Sequence, residues 1–555
     1  MPSREIHISN AARAELAFPH LTAAQMDRLA SRGRRRRIQE GEILWEAGAS
    51  AIPFVIVVEG QLEMALHTAT QETIVAHHGP GQFTGEINLL SGRRSLARAR
   101  ATQAGEIIEV DRDVLVSLVQ TDSELSDIFM RAFIARRVEL IAQSAGDVVL
   151  IGSLHSSDTL RLKEFLTRNG HPHAYVDLDV DADIQELLDR FSIGVGEIPV
   201  VICRGEAVLR NPTNEAVADC LGFNASIDAL HIRDLIIIGA GPAGLAAAVY
   251  GASEGLDVLV LETNAPGGQA ASSSRIENYL GFPTGISGQE LAGRAYAQAE
   301  KFGAQVMIAR GAKRLLCERK PFAIEMENGQ RVAARSVVIA TGAQYRKLPV
   351  GNLTRFEGHG VYYGATAMEA QLCRGEEVIV VGGGNSAGQA AVFLAQSTRR
   401  VFMLVRGEAL AESMSRYLIR RIEEIPAIEI RICTEVAALE GDGHLERVTI
   451  RDVRSGATST HPIRHVFTMA GAVAATQWLE GCLALDDDGF IKTGSDLTRE
   501  ELADWPLART PHLLETTEPG IFAVGDVRSG NIKRVASAVG EGSIAISFVH
   551  RVMRE

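Results

Sequence analysis

In "DLIIIGAGPAGLAAAVYGASEGLDVLVLE", residues 234–262, an apolar run ends in Gly239, Gly241 and Gly244. G-x-G-x-x-G between a strand-like run and a helix-like run is a pattern built to capture phosphate. Gly239 permits the tight turn, Gly241 lets a pyrophosphate approach the backbone, and Gly244 lets the helix pack on the strand. The helix N-terminus adds free N–H groups and positive potential. Glu262 ends the second strand, where a carboxylate accepts a ribose hydroxyl. The stretch "EVIVVGGGNSAGQAAVFLAQSTRRVFMLVR", 377–406, repeats the design with Gly382, Gly384 and Ala387. Val405 now stands where Glu262 stood, and Arg406 follows it. With no acid to repel a 2′-phosphate and a cation alongside, NADPH is favoured over NADH.

Such loops need a parallel sheet behind them, and residues 233–555 alternate strand and helix runs. Two fingerprints about 140 residues apart imply one domain inserted into another. "VVIATGA" (337–343) closes the first half, and "GIFAVGDV" (520–527) returns with Asp526 placed for a flavin ribityl or phosphate group. Upstream the texture changes. Short apolar runs with turn residues between 36 and 112 predict a β-barrel or sandwich. Leu125, Ile128, Phe129, Ala132, Phe133, Leu140 and Ile141 then recur at helical spacing. That helix either closes the barrel or pairs with a second copy. From about 147 come a strand, a helix ended by Gly170, a strand, the helix "DADIQELLDRF", a hairpin and a closing helix.

The predicted boundaries are 1–145 for the barrel with its helix, 146–224 for the small α/β unit and 225–232 for a linker. They continue with 233–345 for the first part of an FAD domain, 346–470 for an NAD(P)H domain and 471–555 for the second FAD part. The net charge of −13 argues against nucleic acid as partner. No apolar run is long enough to span a membrane. The first residues lack an apolar leader core, so a cytoplasmic protein is expected. Arg34 to Arg37 read as a solvated turn before a strand. The six cysteines form no C-x-x-C and no zinc cluster, so no metal site is expected and all six should be reduced.

The stretches "GAGPAGLAAAVY", "APGGQ", "IENYLGFP", "VVIATGA", "GGGNSA", "GIFAVGDV" and "KRVASAVGEG" run along nearly all of 233–555. On them the segment resembles thioredoxin reductase, the small FAD- and NADPH-dependent class with two nested Rossmann-like domains. The resemblance implies FAD against Gly239, Gly241, Pro242, Ala243, Gly244, Glu262, Gly268, Gln269 and Asn278. It adds Thr341, Gly342, Gly525 and Asp526, with Lys533, Arg534 and Val535 along the flavin ring. NADPH, or alternatively NADH, would lie across Gly382, Gly384, Asn385, Ser386, Ala387 and Arg406. A homodimer is also implied.

Two departures stand out. The family carries a histidine and a double arginine after the second strand, with another arginine four residues on. Here Arg406 is kept, Gly407 and Ala411 take the other places, and Arg416 or Arg420 are the available substitutes. The family's Y-C-A-T-C-D-G is replaced by "YGATAME", leaving Gly364 and Ala367 at the cysteine positions and no acid after them. Only a thiolate attacks a disulfide, so dithiol chemistry is not expected. Cys373 reads as a core cysteine.

"GEIPVVI" and its Pro199 give the middle unit a resemblance to thioredoxin or glutaredoxin, which implies a cis proline. Its cysteine positions hold His155, Ser156, Ser157 and Asp158 in "LIGSLHSSDTL", which suit a helix N-cap instead. "GQFTGEINLLSGRRSLARARA" resembles a cyclic-nucleotide-binding domain, with Gly85, Glu86 and Ile87 opening the phosphate turn and Glu86 on the ribose 2′-hydroxyl. The family's phosphate arginine falls on Ser95, beside Arg94; Arg94 and Arg98 are the alternatives for reaching the phosphate. Its ligand stays open between cAMP, cGMP, another anion and a structural role.

The expected function is a regulated FAD-dependent NAD(P)H oxidoreductase that passes hydride from NADPH to FAD and on to an unidentified acceptor. A ligand-sensing or interaction protein, with the flavin module as redox sensor or scaffold, is the alternative. Thioredoxin-disulfide reduction is disfavoured by thiol chemistry.

Overall fold

The computed structural model describes residues 4–5, 16–67, 72–85, 89–90, 94–142, 148–153, 156–179, 197–203, 207–228, 230–273, 275–317, 319–365, 367–410, 414–479 and 481–555. Near the N-terminus, Phe54–His67 pairs antiparallel with Arg98–Val110 on one side and Glu72–His78 on the other. Arg4–Glu5, Arg34–Ile38 and Ile43–Trp45 complete a six-stranded sheet. The arginine run is therefore a strand itself, not a turn before one. Its register sets Arg34 opposite Glu109 and Arg37 opposite Glu106. Arg34 and Arg36 reach Glu109 at 2.5 and 2.9 Å, and Arg35 reaches Glu106 at 2.8 Å. Cross-strand opposite charges hold these cations, so they are not a loose anion-seeking patch.

The helix Ser123–Ala142 buries Leu125, Phe129, Ala132 and Phe133 against Phe54 and Phe83. Phe129 meets Phe54 edge-on at 4.9 Å. Of the two readings of this helix, its described stripe closes the barrel; the side chains of Leu140 and Ile141 lie outside the described residues.

The middle unit has a four-stranded sheet in the order Ala207–Arg210, Val200–Cys203, Val148–Gly152, Ala174–Asp177. The last two strands run parallel and the other neighbours antiparallel. Ser157–Arg168 and Asn214–Leu221 are its helices, and the Ile198–Pro199 peptide is cis. Ser156 caps the first helix by accepting from the Thr159 N–H. His155 and the expected helix "DADIQELLDRF" lie outside the described residues.

Two further sheets follow, the first mixed with a parallel centre and the second parallel. The first has seven strands, centred on Ile232–Ile238 between Val258–Glu262 and Arg331–Ile339. The four isoleucine and leucine positions 235–238 are buried, as befits a strand covered on both faces. Ile521–Ala523 returns from the end of the chain to pair with Arg331–Ile339. The last helix, Val535–Val552, lies close on Pro242–Ser253 because a Cβ on Gly542 would stand 2.2 Å from the Ala243 carbonyl oxygen. The second sheet orders Val361–Tyr362, His465–Thr468, Glu377–Val381, Arg400–Val405 and Ile428–Ile432. Its insertion into the first is made by two chain crossings, Ala343–Tyr345 and Ala472–Ala474, which pair antiparallel.

The expectation that all six cysteines are reduced is corrected. Cys317 and Cys482 form a disulfide across 165 residues, with Cα atoms 6.3 Å apart. Both pack on the cluster containing Leu315 and Leu479. No spacing pattern signals a pair joined only by the return of the chain after an inserted domain. Cys203, Cys220, Cys373 and Cys433 are free. Thiol titration of the denatured chain should therefore count four groups without reductant and six with it. Six in the unreduced, alkylation-protected sample would remove the bridge.

Candidate functional site

Both glycine loops open into a single cavity of about 1730 Å³. That exceeds the roughly 300–1,000 Å³ of an ordinary small-molecule pocket. The first loop shows three different uses of glycine. Gly239 has φ of +101°, and a Cβ there would lie 2.3 Å from the Ala340 carbonyl oxygen. A Cβ on Gly244 would lie 1.9 Å from the Gly239 carbonyl oxygen. Gly241 has only the Gly268 Cα at 3.9 Å, so its backbone faces open space where a pyrophosphate can approach. Gly241 also caps the helix Pro242–Ser253 without any side-chain bond, leaving the first N–H groups to a ligand.

Glu262 is 8% exposed. Burial raises its pKa, while the N–H groups of Ala240 (2.8 Å) and Asn264 (2.9 Å) and the charge of Arg168 work the other way. The carboxyl of Asp526 is likewise raised by burial, against the nearby Lys533. Gly239, Gly241, Pro242, Ala243, Glu262, Gly268, Gln269, Asn278, Thr341, Gly342, Gly525, Asp526, Lys533, Arg534 and Val535 all line the cavity. Gly244 packs beneath it. Thr341 Oγ1 donates to the Ala475 carbonyl oxygen at 3.0 Å, fastening one chain crossing to the other.

In the second loop, Gly382 has φ of +140° and a Cβ there would sit 2.4 Å from the Met469 carbonyl oxygen. Gly384 caps Asn385–Leu394 with no side-chain bond. Ala387 is fully buried under Gly382, whereas Gly382, Gly384, Asn385, Ser386 and Arg406 face the cavity. The Asn385 side chain is oriented by accepting the Ser415 N–H at 2.8 Å. Arg406 is exposed and Val405 buried. Neither Arg416 nor Arg420 lines the cavity, so Arg406 stands as its cation at the strand end.

Gly364 lines the same cavity, and a Cβ on it would meet only Ser272, at an ordinary 3.7 Å. Packing does not force glycine there. The side chain of Ala367 and all of Thr366 lie outside the described residues. Cys373 is buried, its thiol pushed up to about 12 by burial and donating to the Ala370 carbonyl oxygen at 3.8 Å. It is a core thiol. Neither Cys317 nor Cys482 lines the cavity.

Sequence reading missed one wall. Ser157, Leu160, Arg161, Glu164 and Arg168, all from the first helix of the middle unit, line the cavity beside the first glycine loop. The Ser156 cap marked the helix start, but nothing local marked what its outer face covers.

In the barrel, Gly85 has φ of +100° and its carbonyl accepts from buried Arg136 at 2.6 Å. Glu86 and Ile87 lie outside the described residues. Ser95, at the arginine place, is buried; Trp45 Nε1 donates to its Oγ at 3.2 Å, and that Oγ donates to the Ala97 carbonyl at 2.8 Å. Arg98 pairs with Glu46 at 2.6 Å. The stem of Arg94 lies on the middle unit, where a Cβ on Gly222 would stand 2.9 Å from Arg94 Cδ.

Two strand–glycine loop–helix units, one nested in the other and sharing a cavity, define a two-dinucleotide flavoprotein oxidoreductase. Residues 233–542 match the pyridine nucleotide-disulphide oxidoreductase family, and the chain belongs to it. Residues 35–122 match the cyclic nucleotide-binding domain. Among similar proteins, the thioredoxin reductase of Bacillus subtilis is 32% identical over 325 residues, covering 58% of this chain and 96% of that protein. The thioredoxin reductase of Treponema pallidum is 34% identical over 313 residues, covering 56% and 94%. The structure of Lactococcus lactis thioredoxin reductase in its FR conformation matches with a TM-score of 0.52 at 27% identity, over 58% of this chain and 100% of that one. The protein is an FAD-dependent oxidoreductase of thioredoxin reductase-like fold with an N-terminal cyclic nucleotide-binding domain.

The glycine geometry sets a test. Gly244→Ala should purify with at least tenfold less flavin, because its Cβ drives helix off strand. Gly293→Ala, with nothing within 4 Å of the new Cβ, should keep its flavin. Equal flavin in both, by visible absorbance, would contradict this assignment.

Proposed function

We propose that the chain passes hydride from NADPH through FAD to an acceptor that is not a cysteine pair at positions 364 and 367. One observation carries the reading: both dinucleotide cradles share one cavity, and Gly364 lines it where the family's first sulfur would be. FAD, when bound, supplies hydride acceptance from the nicotinamide and electron delivery onward. The chain's own residues supply binding and orientation. Gly241 and Gly384 leave phosphates room and helix N–H groups. Glu262 is held by two backbone N–H groups in position to accept ribose hydroxyls. Arg406 offers its guanidinium to a 2′-phosphate, and buried Val405 sets no charge against it. Lys533, Arg534 and Val535 line the cavity beside Asp526, as a ring-contact segment should.

The acceptor is proposed to be a partner flavoprotein, a quinone, oxygen or a ferredoxin-like protein, and the working form a cytoplasmic homodimer. Anaerobic NADPH should bleach the bound flavin rapidly, and a disulfide substrate should not be turned over. Unbleached flavin would sink the reading, and turnover of a dithiol reporter would sink its thiol-free part. Arg406→Ala should raise KM for NADPH about tenfold, one charge-assisted contact, and leave NADH unchanged.

A second reading, ligand sensing, is favoured by the barrel's contacts with the rest of the chain. Arg94 of the phosphate cassette rests on Gly222, and Gln120 Nε2 donates to the Lys301 carbonyl oxygen at 3.1 Å. A nucleotide bound to the barrel must raise its melting temperature, by about 2.7 kcal/mol of stabilisation at a hundredfold excess over Kd. No shift with millimolar cAMP or cGMP would leave the barrel without that ligand.

A further inference from the structure

The middle unit has no cysteine at the positions where its fold would carry a dithiol, yet one of its helices forms a wall of the flavin cavity. Arg168 closes that helix, and its side chain is 18% exposed. Nη2 donates to the Gly268 carbonyl oxygen at 2.9 Å, and Nη1 donates to Glu164 at 3.2 Å. A further donor, Nε, is buried and has no partner. A buried charged donor without an acceptor costs roughly 1–3 kcal/mol or more, so its presence needs a reason.

The surroundings supply one. A Cβ on Gly268 would stand 3.0 Å from the Gly241 Cα, so Arg168 is anchored at the edge of the pyrophosphate cradle. Its charge also acts on Glu262, the ribose acceptor, against the effect of burial. Arg161, two turns earlier, has its donors engaged by Asp158, Asn214 and Pro212, so it braces the helix. Arg168 alone on this helix combines a cavity position, a fixed anchor and an unmet donor.

We propose that Arg168 is a binding residue for the AMP–pyrophosphate half of FAD, so that the middle unit completes the cofactor site of the module it precedes. The proposal rests on the FAD reading of the first glycine loop. The ligand class is a dinucleotide or nucleoside diphosphate, recognised through its phosphate oxygens by a charge-assisted bond. The unit is held in place for this role. Asn224 Nδ2 and Oδ1 bond the Ile308 carbonyl and N–H at 2.8 and 2.7 Å, and Arg310 pairs with Glu215 and Asp219 at 2.7 and 2.6 Å.

The test uses the full-length chain stripped of flavin and titrated with FAD, followed by flavin fluorescence, with ADP and FMN as separate probes. Arg168→Ala and the volume-keeping Arg168→Met should weaken FAD and ADP at least about tenfold, the equivalent of one charged hydrogen bond. Both should leave FMN, which lacks the AMP half, unchanged. Arg168→Lys should recover part of the loss, and the loss should shrink as salt is raised. Amide exchange of the middle unit in the apoprotein should match wild type in Arg168→Met. Unchanged FAD and ADP affinity in both variants would overturn the proposal. So would equal weakening of FMN, or a loss accompanied by undocking of the unit, since either indicates structural support only. Wild-type protein that binds no FAD at all would instead overturn the cofactor reading itself.

Discussion

The two dinucleotide loops are both built against the chain crossings that join the nested domains. Gly239 sits on the carbonyl of Ala340, three residues before the crossing Ala343–Tyr345. Gly382 sits on the carbonyl of Met469, three residues before the crossing Ala472–Ala474. The crossings pair with each other, and Thr341 adds a side-chain bond to Ala475. A Cβ at either glycine would push its loop off the crossing. The same close backbone approach that shapes each phosphate turn therefore aims both turns into one cavity. Hydride transfer between two cofactors needs their reacting rings within contact distance, and two phosphate turns that open into one cavity are a first condition for it.

A second constraint is the continuity of the core. Leu150, Phe165, Leu166 and Phe223 of the middle unit belong to one buried cluster with Leu235, Val258 and Val306 of the seven-stranded sheet. Fully burying a phenylalanine such as Phe165 contributes roughly 1.5–3 kcal/mol. Several such side chains cannot be exposed without unfolding the junction. A redox shuttle has to leave its reductase to reach other partners, so a unit fused this firmly could not serve as one. A shared buried core of this kind fits a wall better than a detachable carrier. The contrast at Gly364 sharpens the point, since a side chain would fit there. Packing at position 364 does not require glycine.

What could be read from the chain follows from how local each signal is. The placement of Gly239, Gly241 and Glu262 was legible because it depends on neighbours within one strand–turn–helix–strand unit. The stripe Leu125, Phe129, Ala132 and Phe133 was legible for the same reason, through helical period. Arg34, Arg35 and Arg37 are exposed as expected, but the run reads as a turn because a charged run does not announce a strand unless its opposing strand is known; Glu106 and Glu109 stand some seventy residues away. Cys317 and Cys482 become neighbours only when the chain returns from the inserted domain. Arg168 looked like an ordinary basic residue in the last turn of a helix. It meets Gly268, a hundred residues on, and no periodicity reports such a meeting.

The barrel shows how a binding fold can keep its frame while its charge balance changes. A cyclic phosphate carries a charge that must be met by a nearby cation once it leaves water. At the place of that cation, Ser95 is buried and its hydroxyl is engaged by Trp45 and Ala97. Arg98 faces Glu46, which is 56% exposed at its side chain, and such half-exposed pairs contribute at most about 1 kcal/mol. An incoming phosphate at Arg98 would compete with the Glu46 carboxylate among its partners, and not with the Trp45–Ser95 bond. Arg94 is placed otherwise, with its stem against Gly222 at the end of a middle-unit helix. If an anion drew Arg94 inward, that contact would change with it. The two arginines beside Ser95 are thus placed differently: Arg98 pairs within the barrel with Glu46, and the stem of Arg94 packs on the unit that walls the shared cavity.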